Sequence, residues 1–246
     1  MSAPAIVLDR VSLDFDGRQL FADLSLRFAG GRTTCLLGPS GCGKSTLLKL
    51  IGGAAVLPWS GCIDFEPGPA NGLQVAWMGQ NDLLLPWLNL LDNILLGARL
   101  RGEITPAART RALALLQAAG LYEYAQAYPA ALSGGMRQRG ALLRTLMEER
   151  PVLLMDEPFS ALDALTRMRL QNLSARLTRG ATVVLVTHDP LEALRLADRI
   201  VVLAGAPAGI AAEFDLDGQA PRDAADPNLT HRYADLLDLL LDGERA

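Results

Sequence analysis

Gly38–Ser45 reads GPSGCGKS, and Thr46 follows. This is the spacing G-x-x-x-x-G-K-[ST], in which glycines let backbone N–H groups turn inward around a phosphate. An apolar run, TTCLL at Thr33–Leu37, precedes it, and the helical pattern Lys44–Ile51 begins inside it. A strand therefore feeds the loop and a helix N-terminus closes it, adding the positive end of the helix dipole. Gly38, Pro39, Ser40, Gly41, Cys42 and Gly43 form the cradle, with Cys42 read as a small filler. Lys44 should reach the β- and γ-phosphates, and the Ser45 hydroxyl, next to Thr46, should ligate Mg²⁺. A glycine-rich turn before an ordinary helix is the bland alternative. A second run, VLLMDEP at Val152–Pro158, is an apolar strand ending in two carboxylates. Delivered beside a phosphate loop, Asp156 would hold Mg²⁺ through water, and Glu157 would orient and polarise an attacking water. An apolar strand followed by Asp-Glu is weak evidence alone. Paired with the phosphate loop it is strong, and the two together specify a P-loop NTPase.

The elements that must position these groups are legible as alternating patterns. Thr33–Leu37, Leu73–Met78, Val152–Met155, Thr182–Val186 and Arg199–Leu203 read as buried strands. Between them Lys44–Ile51, Pro106–Ala119, Gly135–Glu148, Ala164–Thr178 and Pro190–Ala197 have helical spacing. Such alternation predicts an α/β fold with a mostly parallel core sheet covered on both faces. Ile6–Phe28 alternates around a turn at Asp16-Gly17 and predicts an antiparallel N-terminal hairpin. Residues 97–150 are helix-rich and read as a helical subdomain. Residues 1–205 form the main domain on this reading, and 206–246 a short tail with a terminal helix at Leu229–Leu241.

The chain has 246 residues, half of them hydrophobic, and a formal charge of −4. No basic footprint of nucleic-acid binding is present. Cys35, Cys42 and Cys62 form no CxxC pair, and the odd count fits a reducing compartment rather than a disulfide framework. MSAPAIVLDR lacks the basic and apolar regions of a signal peptide, and no apolar run approaches the ~18 residues of a membrane span. The mean hydropathy of +0.20 is high for a soluble chain. A large core and a buried partner surface both account for it.

Leu132–Arg139 reads LSGGMRQR, shortly before the carboxylate strand. Ser133 is placed to cap a helix whose first residues, Gly134 and Gly135, leave bare N–H groups suited to a phosphate. With the two preceding motifs, this segment resembles the signature of the nucleotide-binding subunit of ATP-binding cassette (ABC) transporters, over roughly residues 5–205. The resemblance implies that Ser133, Gly134 and Gly135 contact ATP bound to a second copy, so that two chains pair head to tail. It implies that Gln80 senses Mg²⁺ and the nucleophilic water, that Ser160–Asp163 carries signals between subunits, and that His188 in VTHDP contacts the γ-phosphate. Phe15 falls where an aromatic stacks on adenine, keeping the π-face of the more usual tyrosine. Two departures are visible: Arg32 stands where a glutamate is common, and Gly140 replaces a usual β-branched residue.

One stretch stands apart. Leu83–Leu88 reads LLLPWL, after Gln80-Asn81-Asp82 and before a helix that Asn89 and Asp92 place at Leu90. A loop that apolar has something to meet. The resemblance implies that Leu83, Leu84, Leu85, Pro86 and Trp87 receive a short cytoplasmic helix of a membrane permease. The alternative is a loop folded onto its own helical subdomain. The LLPW form and short tail further resemble the importer subfamily for nitrate, sulfonates, taurine and thiamine-related pyrimidines, the pyrimidine branch most of all. On this reading the chain is a peripheral ATPase on the cytoplasmic face of the inner membrane, served indirectly by a solute-binding protein. The rival is the ATPase of a lipoprotein-release or other non-importer system, against which the LPW loop speaks. Repair ABC proteins carry a long coiled coil and translation members two cassettes, and neither pattern is present.

Overall fold

The structure, a computed structural model, describes residues 3–54, 57–68 and 75–243. The predicted hairpin is β1 (Ala5–Phe15) against β2 (Arg18–Phe28), antiparallel. Asp16 and Gly17 both take positive φ (51° and 75°), the geometry whose twist suits a two-residue hairpin turn. A strand missed in the sequence, β4 (Trp59–Glu66), pairs antiparallel with the other side of β1 to give the order β2-β1-β4. Most of its residues are exposed, so it lacks the apolar alternation by which strands are recognised.

The second sheet contains the predicted buried strands: β3 (Thr33–Leu37), β5 (Val75–Met78), β6 (Val152–Asp156), β7 (Thr182–Val186) and β8 (Arg199–Ala204). Leu73 and Gln74, expected to begin β5, lie outside the described residues. Beyond the expected boundary at residue 205, β9 (Gly209–Asp215) joins β8 antiparallel at one edge. The order is β5-β6-β7-β3-β8-β9, parallel throughout except at that edge. Side chains of the central strands alternate between two cores, as burial on both faces requires. Val152 and Leu154 pack with α1 (Lys44–Ile51) and the antiparallel sheet, around Ile6, Phe21, Leu47 and Leu48. Leu153 and Met155 face the opposite layer of helices.

That layer holds α5 (Gly134–Met147), α6 (Ala164–Leu177) and α7 (Pro190–Leu196), with α8 (Pro227–Gly243) against α7. Among the described residues, the stretch 97–150 contains helices and no strand: most of α3 (Leu96–Leu100), α4 (Pro106–Ala118) and α5. Just before it lies α2 (Leu90–Ile94), whose N-cap is Asn89, the side chain accepting from the Asp92 N–H at 2.8 Å, as the sequence predicts.

The same region corrects one expectation and explains one departure. Leu84 is only 7% exposed and belongs to the core, so it is not part of an exposed docking face. Its side chain fits over Gly140 on α5, where a Cβ would come 2.6 Å from Leu90 Cδ1 and 3.4 Å from Leu84 Cδ1. A β-branched residue at 140 would push the loop off the helix. Glycine there lets the apolar residues on either side of Pro86 divide between interior and surface.

Candidate active site

Four strand ends deliver the site. β3 runs into the phosphate loop, β5 toward Gln80, β6 ends on Asp156, and Thr187 and His188 follow β7. These carboxyl ends share one edge of a parallel sheet, where ligand crevices form. The crevice has a volume of about 370 Å³ and is lined by Phe15, Leu20, Ser40, Gly41, Gly43, Lys44, Ser45, Thr46, Gln80, Glu157 and Val186.

Two glycines fix the path of the loop. Gly43 caps α1 with φ 98°, and a Cβ there would meet the buried Phe21 ring at 2.7 Å. Gly38 has φ 149°, and its Cβ would lie 2.2 Å from the Leu203 carbonyl oxygen. Lys44 Nζ donates to the carbonyls of Gly38 (2.7 Å) and Pro39 (2.8 Å), with Cys42 Sγ at 3.7 Å. The ammonium is thus held inside the loop its own motif builds.

Asp156 is 3% exposed. Burial pushes its carboxyl up, the neighbouring Glu157 adds to this, and a hydrogen bond with the Ser45 side chain opposes it. One of its oxygens, Oδ1, is buried without a protein partner. An orphaned carboxylate oxygen beside a hydroxyl, with Gln80 on the same cleft, fits a hard cation and its waters. Glu157 sits in left-handed backbone, φ 49°. Its N–H donates to the Val186 carbonyl (2.9 Å) and its Oε2 lies 2.9 Å from His188 Nδ1. Glu157 and His188 share a second, smaller pocket with Ser160, Arg167, Thr187, Asp189 and Glu192. Phe15 ends β1 half-exposed on the rim, with its ring open to a flat ligand.

The signature lies elsewhere. Ser133 caps α5, its Oγ accepting from the Met136 N–H at 3.2 Å, and Gly134 and Gly135 open the helix. None of the three lines the crevice around the phosphate loop. A Cβ on Gly135 would come 3.1 Å from the Ala161 carbonyl, so the helix N-terminus lies close against the segment after β6.

Three polar groups behind the site escaped the sequence reading. Gln138 on α5 is buried and bonds the backbone around Glu157 and Ala161. Arg167 on α6 joins the Leu162 carbonyl (3.0 Å) to Asp189 Oδ2 (3.3 Å), beside His188. Glu192, buried beneath the same pocket, has its carboxyl pushed up to about 8 by burial and by the Asp189 charge. No spacing rule marks Gln138, because a polar residue on an amphipathic helix reads as solvated. The helix-start signal Asp189-Pro190 was available for Asp189, and that residue does cap α7 through the Leu191 N–H at 2.9 Å.

A model of the ABC transporter family matches residues 21–160, more than half of the chain. The chain belongs to the ABC transporter family. It is an ABC-type ATPase coupled to transport. It is 40% identical over 242 residues to an aliphatic sulfonates import ATP-binding protein of Burkholderia cenocepacia, covering 96% of this chain and 87% of that protein. It is 43% identical over 255 aligned positions to a taurine import ATP-binding protein of Pseudomonas aeruginosa, covering 96% of each. Among solved structures it resembles a dimeric ATP-binding cassette in a post-hydrolysis state bound to ADP and Pi. That match has a TM-score of 0.77 and 30% identity over 87% of this chain and 99% of the other. The α/β cassette fold and the family inferred from the residues are thereby established.

Proposed function

We propose that this ABC ATPase powers import of a small sulfonate-type solute through a separate membrane permease, working as a head-to-tail pair of copies. The names of the sulfonate and taurine relatives support an importer and favour that end of the subfamily over the pyrimidine branch. No helix among the described residues is long and apolar enough to cross a membrane. On this reading the channel belongs to the separate permease. The location that follows is peripheral, on the cytoplasmic face of the membrane, with a solute-binding protein acting through the permease.

Within each copy the cleft binds MgATP. Phe15 stacks on adenine, Lys44 and the backbone N–H groups of residues 40–46 hold the phosphates, and Ser45, Gln80 and Asp156 hold the cation and its waters. Bound Mg²⁺ neutralises charge on the β- and γ-phosphates. Glu157 accepts a proton from the attacking water, while His188, in contact with its Oε2, keeps that carboxylate turned toward the γ-phosphate. Ser133, Gly134 and Gly135 have no phosphate of their own chain to meet and take the γ-phosphate of the opposite copy at the α5 N-terminus.

The observation that carries the importer reading is the Trp87 ring, 69% exposed on a loop tied down by side-chain hydrogen bonds. The Asn93 amide donates to the carbonyls of Leu85, Leu88 and Asn89, and its Oδ1 accepts from the Leu85 N–H at 2.7 Å. Arg144 donates to the carbonyls of Asp82 and Leu83. A rigid loop presenting Leu83, Pro86 and Trp87 has the form of an interface anchor, with part of its ordering cost already met. Co-purification with the permease is the test. Trp87→Ala should fold, bind ATP with wild-type affinity, and lose both permease assembly and transport. A Trp87→Ala chain that assembles and transports normally would contradict the reading.

A further inference from the structure

From the geometry around Glu157 we infer that Gln138, on the signature helix, is a positioning residue for the Glu157 carboxylate. The inference rests on the reading of Glu157 as the group that polarises the attacking water.

Glu157 occupies backbone that side-chain-bearing residues rarely adopt, φ 49°, and such a conformation persists only where its surroundings over-determine it. Four bonds do so. Its N–H is held by the Val186 carbonyl at 2.9 Å. Its carbonyl oxygen accepts from Gln138 Nε2 at 3.0 Å, from Ser160 Oγ at 3.1 Å and, at a longer 3.4 Å, from the Ser160 N–H. The same Gln138 amide nitrogen donates to Ser160 Oγ at 3.0 Å, and Gln138 Oε1 accepts from the Ala161 N–H at 2.9 Å. One amide, 7% exposed, thus satisfies both sides of the turn that aims the carboxylate. It does so without lining the nucleotide cleft.

The placement gives this contact a function beyond packing. Gln138 lies five residues along the chain from Ser133, the N-cap of the same α5. One end of α5 presents the bare amides proposed to meet the opposite copy's γ-phosphate, and the next turn grips the backbone of this copy's own catalytic carboxylate. A shift of α5 on engaging the opposite nucleotide moves the Gln138 amide, and with it the Glu157 carbonyl and the aim of its side chain. Misplacement by an ångström is enough to cost roughly 100-fold in rate. Gln138 therefore ties the timing of hydrolysis in one site to closure around the other.

The test compares Gln138→Met, which keeps length and loses all three bonds, with Gln138→Glu, which keeps the acceptor toward Ala161 and loses both donated bonds. Glu157→Gln is measured alongside. ATPase kcat, ATP dissociation constant and melting temperature are recorded for each full-length chain. A positioning role predicts a kcat fall of roughly 10- to 100-fold with the dissociation constant within about twofold of wild type. It also predicts that Glu157→Gln combined with Gln138→Glu is no slower than Glu157→Gln alone, because the two act as one unit. A folded Gln138 variant with near wild-type kcat, losses that multiply in the double variant, or failure of both variants to fold would each overturn the inference. If Glu157→Gln itself hydrolyses ATP normally, the reading of Glu157 fails instead.

Discussion

The nucleotide cleft and the loop at residues 83–88 lie at two ends of α5's reach and are finished to different degrees. In the cleft the charged groups nearest the phosphate loop are held by their own chain: Lys44 by two carbonyls, and Glu157 by Val186, Ser160 and His188. On the loop, Leu84 is 7% exposed while Trp87, three residues on, is 69% exposed. On the proposed function, one chain holds ATP's phosphates from one side and leaves two surfaces, the rim of the loop and the N-terminus of α5, for other subunits to cover.

The largest effect should come from breaking the cleft and the α5 N-terminus in separate copies. Lys44→Ala and Ser133→Arg chains should each be inactive, by about 100-fold or more for loss of a phosphate-stabilising group. Mixed, they form pairs with one intact composite site, so hydrolysis should reappear. Cysteines placed at Ser40 and Gly134 should cross-link between copies in the presence of ATP. Cross-links forming only within a copy would contradict the contrast between the cleft and the α5 end.

Next in size is the split inside the loop itself. Leu84→Ala removes a buried side chain packed over Gly140 and should lower stability by about 2–5 kcal/mol. Trp87→Ala, on the exposed side of the same loop, should change it by less than about 0.5 kcal/mol. Thermal or urea unfolding of the two isolated variants checks this, and equal losses would mean that the loop is not divided as described.

The smallest effect is a pH dependence beneath the His188 pocket. Glu192 has a folded pKa of about 8, above its ordinary value of 4.5, so the native chain binds the proton more tightly than the unfolded one. The stability this contributes is complete below the ordinary carboxylate range and is lost as pH rises through 8. Glu192→Gln should therefore melt close to wild type at pH 5 and above it at pH 9. A wild-type minus variant difference that does not change between those pH values would show that the carboxyl is not held protonated.

Much of this architecture was legible because it is periodic or punctuated. The parallel strands are short apolar runs, Asn89 and Ser133 announce helix starts, and GPSGCGKS allows few other readings. What was not legible has a physical cause in each case. β4 is exposed along most of its length and β9 mixes Gly209, Ala211 and Ala212 with the charged Glu213 and Asp215, so neither carries a strong strand pattern. Leu84 could not be told from Trp87, since both are apolar and only the glycine at 140 decides which fits inward. Gln138 and Arg167 are polar residues on helices, and the tertiary hydrogen bonds they make are ones that no local spacing encodes.

On the proposed function one copy provides only half of each site. Sedimentation of Glu157→Gln with MgATP tests it most directly, because that change removes the base while keeping the shape of the site. The variant should be a monomer without nucleotide and a stable species of twice the subunit mass with MgATP, abolished by adding Ser133→Arg to the same chain. A Glu157→Gln chain that binds ATP tightly and stays monomeric at high concentration would contradict it.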